Sequence, residues 1–237
     1  MKNAIPGWAL ALALAASLSA CGQPDHGGGN QAAGHGNSQS VSDSDIGEGN
    51  DPYLASEIKM HDVMVSAVGA DVSDTWVRKM IEHHKGAIAM AKIEVAHGYD
   101  TRVIPIARRV IAKQQQEVEE LQGLIRQDAA PDPASAQPYR AAEKEMHEAM
   151  MAAKGSDTSH TFVRKMIPHH QGAIAMSQIV LAQGNDERVA AIARRIIADQ
   201  QAELAELQGI LTGAGVSAPA PAEAKPAPAE PTGNSQD

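Results

Sequence analysis

The segment MIEHHKGAIAM at residues 80–90 returns almost unchanged as MIPHHQGAIAM at residues 166–176. The separation of 86 residues (166 minus 80) holds around both segments, so residues 52–125 align with residues 138–211 without a gap. A constant separation of this kind indicates that one structural unit was duplicated in tandem. The fold of that unit therefore decides the fold of the protein.

Each copy is predicted to form three helices. In the first copy a short helix covers about residues 54–68, a second helix runs from a cap at Ser73 or Asp74 to about His97, and a third begins near Asp100. The second copy repeats the pattern at about 140–154, 160–183 and 187–211. Apolar residues recur with helical spacing, and no segment alternates with the period of a strand. We therefore expect two hairpins of long helices packed as a bundle.

Composition limits the classes of function. The 237 residues carry a net charge of -9, which argues against nucleic-acid binding, since that would require a basic surface. Aromatic residues make up only 3% of the chain, so the core must be built from aliphatic side chains and the ten methionines.

The N-terminus carries the features of an export signal. Lys2 precedes an apolar run from Trp8 to Ala20, which is too short to span a bilayer. The sequence Leu18-Ser19-Ala20-Cys21 resembles a bacterial lipobox, and this resemblance implies lipidation of Cys21. An ordinary secretory signal is the alternative. In both cases we expect an exported protein, attached to the membrane at most by a lipid anchor and with no second cysteine for disulfides or metal binding.

The predicted organisation has six parts. They are a signal peptide at 1–20, a flexible tether at 21–51, repeats at 52–126 and 138–212 joined by a linker at 127–137, and a disordered Pro/Ala-rich tail at 213–237.

Histidine and methionine share one face of the predicted second helix, opposite a mostly charged face that includes Lys79 and Lys85. Thioether sulfur is soft and suits Cu(I), whereas neutral imidazole suits copper and zinc, so the mixture points to copper, with Cu(I) favoured over Cu(II). The candidate ligands are Met60, His61, Met64, Met80, His83, His84 and Met90 in the first copy, and Met146, His147, Met150, Met166, His169, His170 and Met176 in the second. The alternative is that these residues only fill the core.

The paired histidine segments, together with QQxE at 114–117 and 200–203, resemble the signature of domain-of-unknown-function family three hundred and five. The resemblance implies an exported protein of the ferritin-like superfamily that binds or traffics copper in the periplasm, because a characterised relative is a copper metallochaperone. We therefore expect an all-α, ferritin-like bundle of two tandem repeats, each a short helix plus a long helical hairpin. A protein that donates or accepts the copper remains unidentified.

The third helix differs from the family pattern, which commonly has Met and Trp after QQxE. This chain has Leu121 and Leu124 in the first copy and Leu207 and Ile210 in the second, so a thioether ligand of the family pattern is missing. Pro168 should also kink the second copy of the histidine helix. The polar residues Gln114, Gln115, Glu117, Gln200, Gln201 and Glu203 are expected to orient the histidines from a second shell, with solvated interhelical contacts as the alternative.

Two other functions stay open. One alternative is a ferritin-like di-iron oxidase, whose ligands could include Glu117 and Glu203, and also Glu57 and Glu143, which each stand four residues before a histidine. However, no Glu-x-x-His spacing occurs in both copies. A metal-free structural or interaction lipoprotein is the other alternative. No other catalytic motif is evident, so a non-enzymatic function is expected.

Overall fold

The computed structural model describes residues 51–213. Its helices are α1 (Leu54–Ser66), α2 (Val72–His97), α3 (Val103–Gln122), α4 (Arg140–Ala152), α5 (Thr158–Gln183) and α6 (Glu187–Thr212), with a 3-10 helix at Pro133–Tyr139 between the repeats. No strand occurs within this range. The structure confirms the predicted all-α bundle of two repeats, each a short helix plus a long hairpin. The predicted signal peptide, Cys21, nearly all of the tether and nearly all of the tail lie outside the described residues.

Aspartates begin the two central helices. Asp71 accepts a hydrogen bond from the Asp74 backbone N–H at the start of α2, and Asp157 caps α5 in the same way. The cap of α2 is thus Asp71 rather than Ser73 or Asp74. Helix α5 continues through Pro168, which lies inside it. Among residues 51–213, no helix combines the length and apolarity needed to cross a bilayer.

The six helices form three layers. Helices α2 and α5 pack against each other in the centre, and α3 and α6 form the hairpins with them. Helices α1 and α4 contact each other and cover one face of the central pair. Ion pairs link α3 to α6 across the other face, for example Arg109 to Glu206 at 2.5 Å. The central layer is therefore enclosed on both sides.

A pseudo-twofold axis relates the repeats. His83 contacts His169, His61 contacts His147, and Lys113 pairs with Asp199 at 3.2 Å. Each of these contacts joins a residue to its own counterpart 86 positions later, as only residues on a twofold axis can do. The axis therefore passes through all three layers.

Buried ion pairs lock each repeat to the other. Lys79 of α2 lies 2.6 Å from Glu143 of α4, and Lys165 of α5 lies 2.8 Å from Glu57 of α1. Both lysines are at most 1% exposed, and each also donates to a backbone carbonyl, that of Met64 or Met150. The placement of Lys79 on a charged outer face was wrong, because the short helix of the second repeat covers that side of α2.

The repeats differ at one end of the central layer. Glu94 is fully buried and accepts hydrogen bonds from Tyr53 Oη at 3.1 Å and Ser159 Oγ at 2.6 Å. Its counterpart in the second repeat is Val180. Burial raises the pKa of the Glu94 carboxyl, despite the two hydroxyl donors. The folded protein therefore disfavours the ionised form of this side chain.

Replacing Lys79 with Ala should lower the free energy of unfolding by about 3–5 kcal/mol, because Glu143 would be left buried without its cation. Urea denaturation of the full chain measures this change. Lys85→Ala is the matched control: Lys85 pairs with Glu82 on the surface, with 48% of its side chain exposed, and its loss should change stability by less than about 0.5 kcal/mol. Equal losses of stability in the two variants would contradict the conclusion that the buried Lys79–Glu143 pair holds the two repeats together.

Glu94→Gln should become more stable relative to the wild type as pH rises from acid to neutral. Because the pKa of Glu94 is raised in the folded state, the folded carboxyl is still protonated at pH values at which the unfolded carboxyl has ionised. The wild type therefore loses stability as pH rises through this range. A neutral amide can still donate to Tyr53 Oη, which itself donates to the Thr158 carbonyl at 3.2 Å. Denaturant midpoints of the variant and the wild type at several pH values test this prediction. Glu82→Gln is the control, because Glu82 pairs with Lys85 on the surface. A difference in stability between Glu94→Gln and the wild type that does not change with pH would refute the prediction.

Candidate metal centre

Four buried histidines form a continuous row across the central layer, in the order His84, His83, His169 and His170. All four are 0% exposed. The ring centroids of His83 and His169 are 3.7 Å apart, and each lies 5.9 Å from the neighbouring ring in its own helix. We call these four side chains the imidazole row. It exists because the twofold axis brings the same turn of α2 and α5 together.

The two inner histidines form hydrogen bonds between α2 and α5 at the point where these helices cross. Nε2 of His83 lies 3.1 Å from the His169 carbonyl, and Nε2 of His169 lies 3.2 Å from the His83 carbonyl. A carbonyl only accepts, so both Nε2 atoms are assigned as N–H donors and both Nδ1 atoms as lone pairs. Burial, together with the neighbouring histidines, holds both pKa values well below the usual range. Both inner rings are therefore neutral.

The two outer histidines approach carboxylates of the third helix in each repeat. Nε2 of His84 is 2.9 Å from Glu117 Oε2, and Nε2 of His170 is 2.8 Å from Glu203 Oε2. These contacts are short, but their angles lie outside hydrogen-bond geometry. Burial by itself raises the pKa of Glu203, yet His170 and Lys113 outweigh it, so the pKa is lowered and the carboxylate is ionised.

All four Nδ1 atoms of the imidazole row are buried, and none has a hydrogen-bond partner among residues 51–213. Such atoms cost about 1–3 kcal/mol each when nothing satisfies them. The lone pair of Nδ1 lies in the ring plane, and the His83 and His169 rings, tilted by 35°, have centroids only 3.7 Å apart, so an ion cannot sit between them. The lone pairs of the two inner rings therefore point to the side of the row rather than between the rings.

Within the described part of the chain, no three His, Cys, Asp or Glu side chains converge as a preformed metal site. An ion held by the row therefore needs other donors or a rotation of the rings. The methionines predicted as ligands are all buried, at 4% exposure or less: Met60, Met64, Met80, Met90, Met146, Met150, Met166 and Met176. The potential donors around the row are thus imidazoles, these thioethers and the carboxylates of Glu117 and Glu203, and the thioethers among them fit a soft ion.

Glycines bring two of these thioethers against the central helices. A Cβ on Gly86 would overlap Met60 Sδ and Cγ, and a Cβ on Gly172 would overlap the same atoms of Met146. Gly86 lies one turn beyond His83 on α2. The short helices therefore place one sulfur per repeat within a helical turn of the imidazole row.

The remaining predicted histidines, one on α1 and one on α4, stack on each other. The rings of His61 and His147 are 3.8 Å apart and 17° from parallel. Both side chains are half-buried and line a cavity of about 430 Å³ that also contacts Val65 and Glu148. Burial and the charge of His61 lower the pKa of His147, which favours its neutral form.

The glutamines divide into two groups. Gln114 and Gln200 are buried, and the Gln114 amide has no hydrogen-bond partner within residues 51–213. Gln115 and Gln201 are exposed and do not reach the row.

Sequence reasoning missed the function of the buried lysines. Glu57 and Glu143, which a di-iron site would require as ligands, are instead neutralised by Lys165 and Lys79. The recurrence of the lysine and the glutamate at the same positions in both copies was the available signal.

The family model described as "Domain of unknown function (DUF305)" matches residues 13–125 and again residues 125–211. No curated protein matches the chain. Among solved structures, a DUF305 fragment from Deinococcus radiodurans is 21% identical, with a TM-score of 0.47, covering 62% of this chain and 99% of that one. A candidate secreted DUF305 protein from Streptomyces coelicolor is 19% identical, with a TM-score of 0.48, covering 62% and 94%.

Gly86→Ala should destabilise the protein by about 1–3 kcal/mol, because the added methyl group displaces Met60 and overpacks the contact between α1 and α2. Chemical denaturation checks this. Adding Met60→Ala should recover part of the loss, since the two side chains compete for one space. Gly123→Ala is the control, because there the nearest atom to a new Cβ is the Glu120 carbonyl oxygen at 3.3 Å. Strictly additive effects of Gly86→Ala and Met60→Ala would contradict this contact.

Proposed function

We propose that this chain, which belongs to the DUF305 family, binds copper inside its helical bundle. Cu(I) is the favoured oxidation state, with Cu(II) as the alternative. The protein would hold the metal in the cell envelope for tolerance, buffering or delivery to a partner protein. The observation that carries the proposal is the set of four buried Nδ1 atoms without a hydrogen-bond partner among the described residues.

Neutral imidazoles favour metal binding over the alternative uses of a buried histidine. A catalytic base needs a pKa near the working pH, but burial holds the pKa values of His83 and His169 well below that range. A purely structural histidine would use both ring nitrogens for hydrogen bonds. Here the Nε2 atoms make the structural contacts and the Nδ1 atoms are left for a ligand, as is common when the second nitrogen orients a metal-binding ring.

The donor types favour a soft ion. Hard cations such as Mg²⁺ and Ca²⁺ require several oxygen ligands, and Zn²⁺ prefers four nitrogen, sulfur or oxygen donors arranged as a tetrahedron. Around the imidazole row the donors are imidazoles, thioethers and the two carboxylates of Glu117 and Glu203, and thioethers are useful mainly to Cu(I). Each repeat supplies its own histidines and a methionine sulfur, so we expect two copper ions per chain.

The proposed location rests on the N-terminal sequence. Residues 1–20 have the pattern of an export signal, and Leu18 to Cys21 resemble a lipobox. The Streptomyces coelicolor relative is described as a candidate secreted protein. Methionine and histidine ligands also suit an oxidising compartment, where cysteines would form disulfides. We therefore place the protein outside the cytoplasm, anchored through Cys21.

Replacing His83, His84, His169 and His170 together with Leu should weaken Cu(I) binding by more than about a hundredfold. Leucine has a similar volume and removes the unpartnered nitrogens, but it also removes the two Nε2–carbonyl hydrogen bonds between His83 and His169, so affinity is compared on variant protein that is shown to be folded. A competition titration against a chromogenic Cu(I) chelator measures affinity and stoichiometry, and circular dichroism checks the fold. His97→Leu is the control, because His97 is exposed at the end of α2.

Unchanged Cu(I) affinity in the folded quadruple variant would refute the assignment of the imidazole row. Absence of stoichiometric metal in the copper-loaded wild type would instead favour a metal-free structural protein. Bound iron with oxygen consumption would favour a di-iron oxidase, and the buried pairing of Glu57 and Glu143 with lysines argues against that outcome.

A further inference from the structure

We propose that Lys113 makes the two copper sites of the chain unequal, so that the site beside His84 fills before the site beside His170. This inference rests on the proposed copper binding and deepens it, because it assigns an order of filling and the residue that sets this order. The two repeats supply the same histidines and the same outer glutamates. The difference therefore comes from a charge that the repeats do not share.

The charge that breaks the symmetry lies on the pseudo-twofold axis. Lys113 of α3 is the counterpart of Asp199 of α6, and the two side chains meet at 3.2 Å. The ammonium of Lys113 also lies 3.4 Å from Glu203 Oε1. The equivalent contact in the first repeat would join Glu117 to residue 199, which is an aspartate and supplies no cation. The glutamate of the second repeat therefore has a lysine partner at a position where the first repeat has a carboxylate.

A single carboxylate links Lys113 to the outer histidine of the second repeat. Oε1 of Glu203 contacts the lysine, and Oε2 of the same group lies 2.8 Å from His170 Nε2. The ammonium is therefore separated from this imidazole by a distance comparable with the Debye length of about 8 Å at physiological ionic strength. Its charge repels a cation bound beside His170 and offsets the negative charge of Glu203 that would stabilise this cation.

Glu117 keeps its negative charge for the first site. Lys113 stands four residues before Glu117 on α3, but its ammonium contacts carboxylates of α6. Among residues 51–213, the only ion-pair contact of Glu117 is with His84 Nε2, at 2.9 Å. The Glu117 side chain is 6% exposed, against 16% for Glu203, so solvent screens it less. The carboxylate of Glu117 therefore stabilises a cation beside His84 more strongly than Glu203 does beside His170.

The neighbouring arginines act on both sites alike. Arg109 and Arg195 occupy equivalent positions in the two repeats. They pair with Glu206 and Glu120, which are also equivalent to each other. Arginines that obey the twofold symmetry cannot favour one site over the other.

The first repeat has one further ion pair close to its histidines. Lys85 directly follows His84 and lies 2.7 Å from Glu82, whereas the second repeat has Gln171 and Pro168 at these positions. The opposite charges of this pair largely cancel, and the side chain of Lys85 is exposed to solvent. The pair therefore contributes little to the order of filling.

The test follows the order of filling in the full chain. Cu(I), which is diamagnetic, is added in steps without oxygen, and 1H–15N correlation spectra record the amide signals of α2 and α5. In the wild type the signals around His84 should change before those around His170. Competition against a chromogenic Cu(I) chelator should give two dissociation constants that differ about fivefold or more.

Two variants test whether Lys113 sets the order. Lys113→Asp/Asp199→Lys exchanges the two charges, keeps the ion pair and the net charge, and should make the signals around His170 change first. Lys113→Gln removes the cation without adding a charge, and should narrow the gap between the two dissociation constants. Lys85→Gln is the matched control, because it gives the first repeat the residue that the second repeat has at position 171. It should preserve the wild-type order.

Parallel changes around the two histidines of the wild type would overturn the inference, and so would an unreversed order in the charge-exchange variant. Both of these results would leave the proposed copper binding intact. A wild type whose signals do not respond to Cu(I) would instead refute the proposed function, and with it the order of filling.

Discussion

The crossing of α2 and α5 at His83 and His169 is the constraint on which the rest of the structure depends. Each imidazole is hydrogen-bonded to the backbone carbonyl of the other residue, so the ring centroids can lie 3.7 Å apart only if both helices meet at this turn. This contact fixes the twofold axis. The axis in turn brings His61 to His147 and Lys113 to Asp199, which are far apart along the chain.

The buried ion pairs make the two repeats dependent on each other. Lys79 and Lys165 lie in the central layer, but their carboxylate partners come from the short helix of the other repeat. A buried cation without its partner is strongly destabilising, so neither repeat can move away without exposing such a charge. The same pairs hold the short helices in place, and those helices carry His61, Met60 and their counterparts to the axis.

The sequence predicted the features that depend on one repeat alone, such as helix faces. It missed the contacts that form between the two repeats. Helical periodicity placed Met80, His83 and His84 on one face of α2, and the structure buries all three. The burial of Lys79 could not be read from the same helix, because the covering Glu143 belongs to the other copy. Likewise, spacing could suggest Gln115 as a partner for histidine, yet α3 turns this residue outward and presents Gln114 and Glu117 to the interior.

Charge is a physical reason to expect that the ion proposed to bind in this bundle is monovalent. The solvation cost of burying an ion rises with the square of its charge, so a divalent ion needs more compensating anions than Cu(I) does. Glu57 and Glu143, which join the two repeats, are already neutralised by lysines. Only Glu117 and Glu203 remain beside the imidazole row, and Lys113 offsets part of the charge of Glu203. Two monovalent ions would balance these two carboxylates, whereas a pair of divalent iron ions would leave excess positive charge beside the fully buried imidazole row.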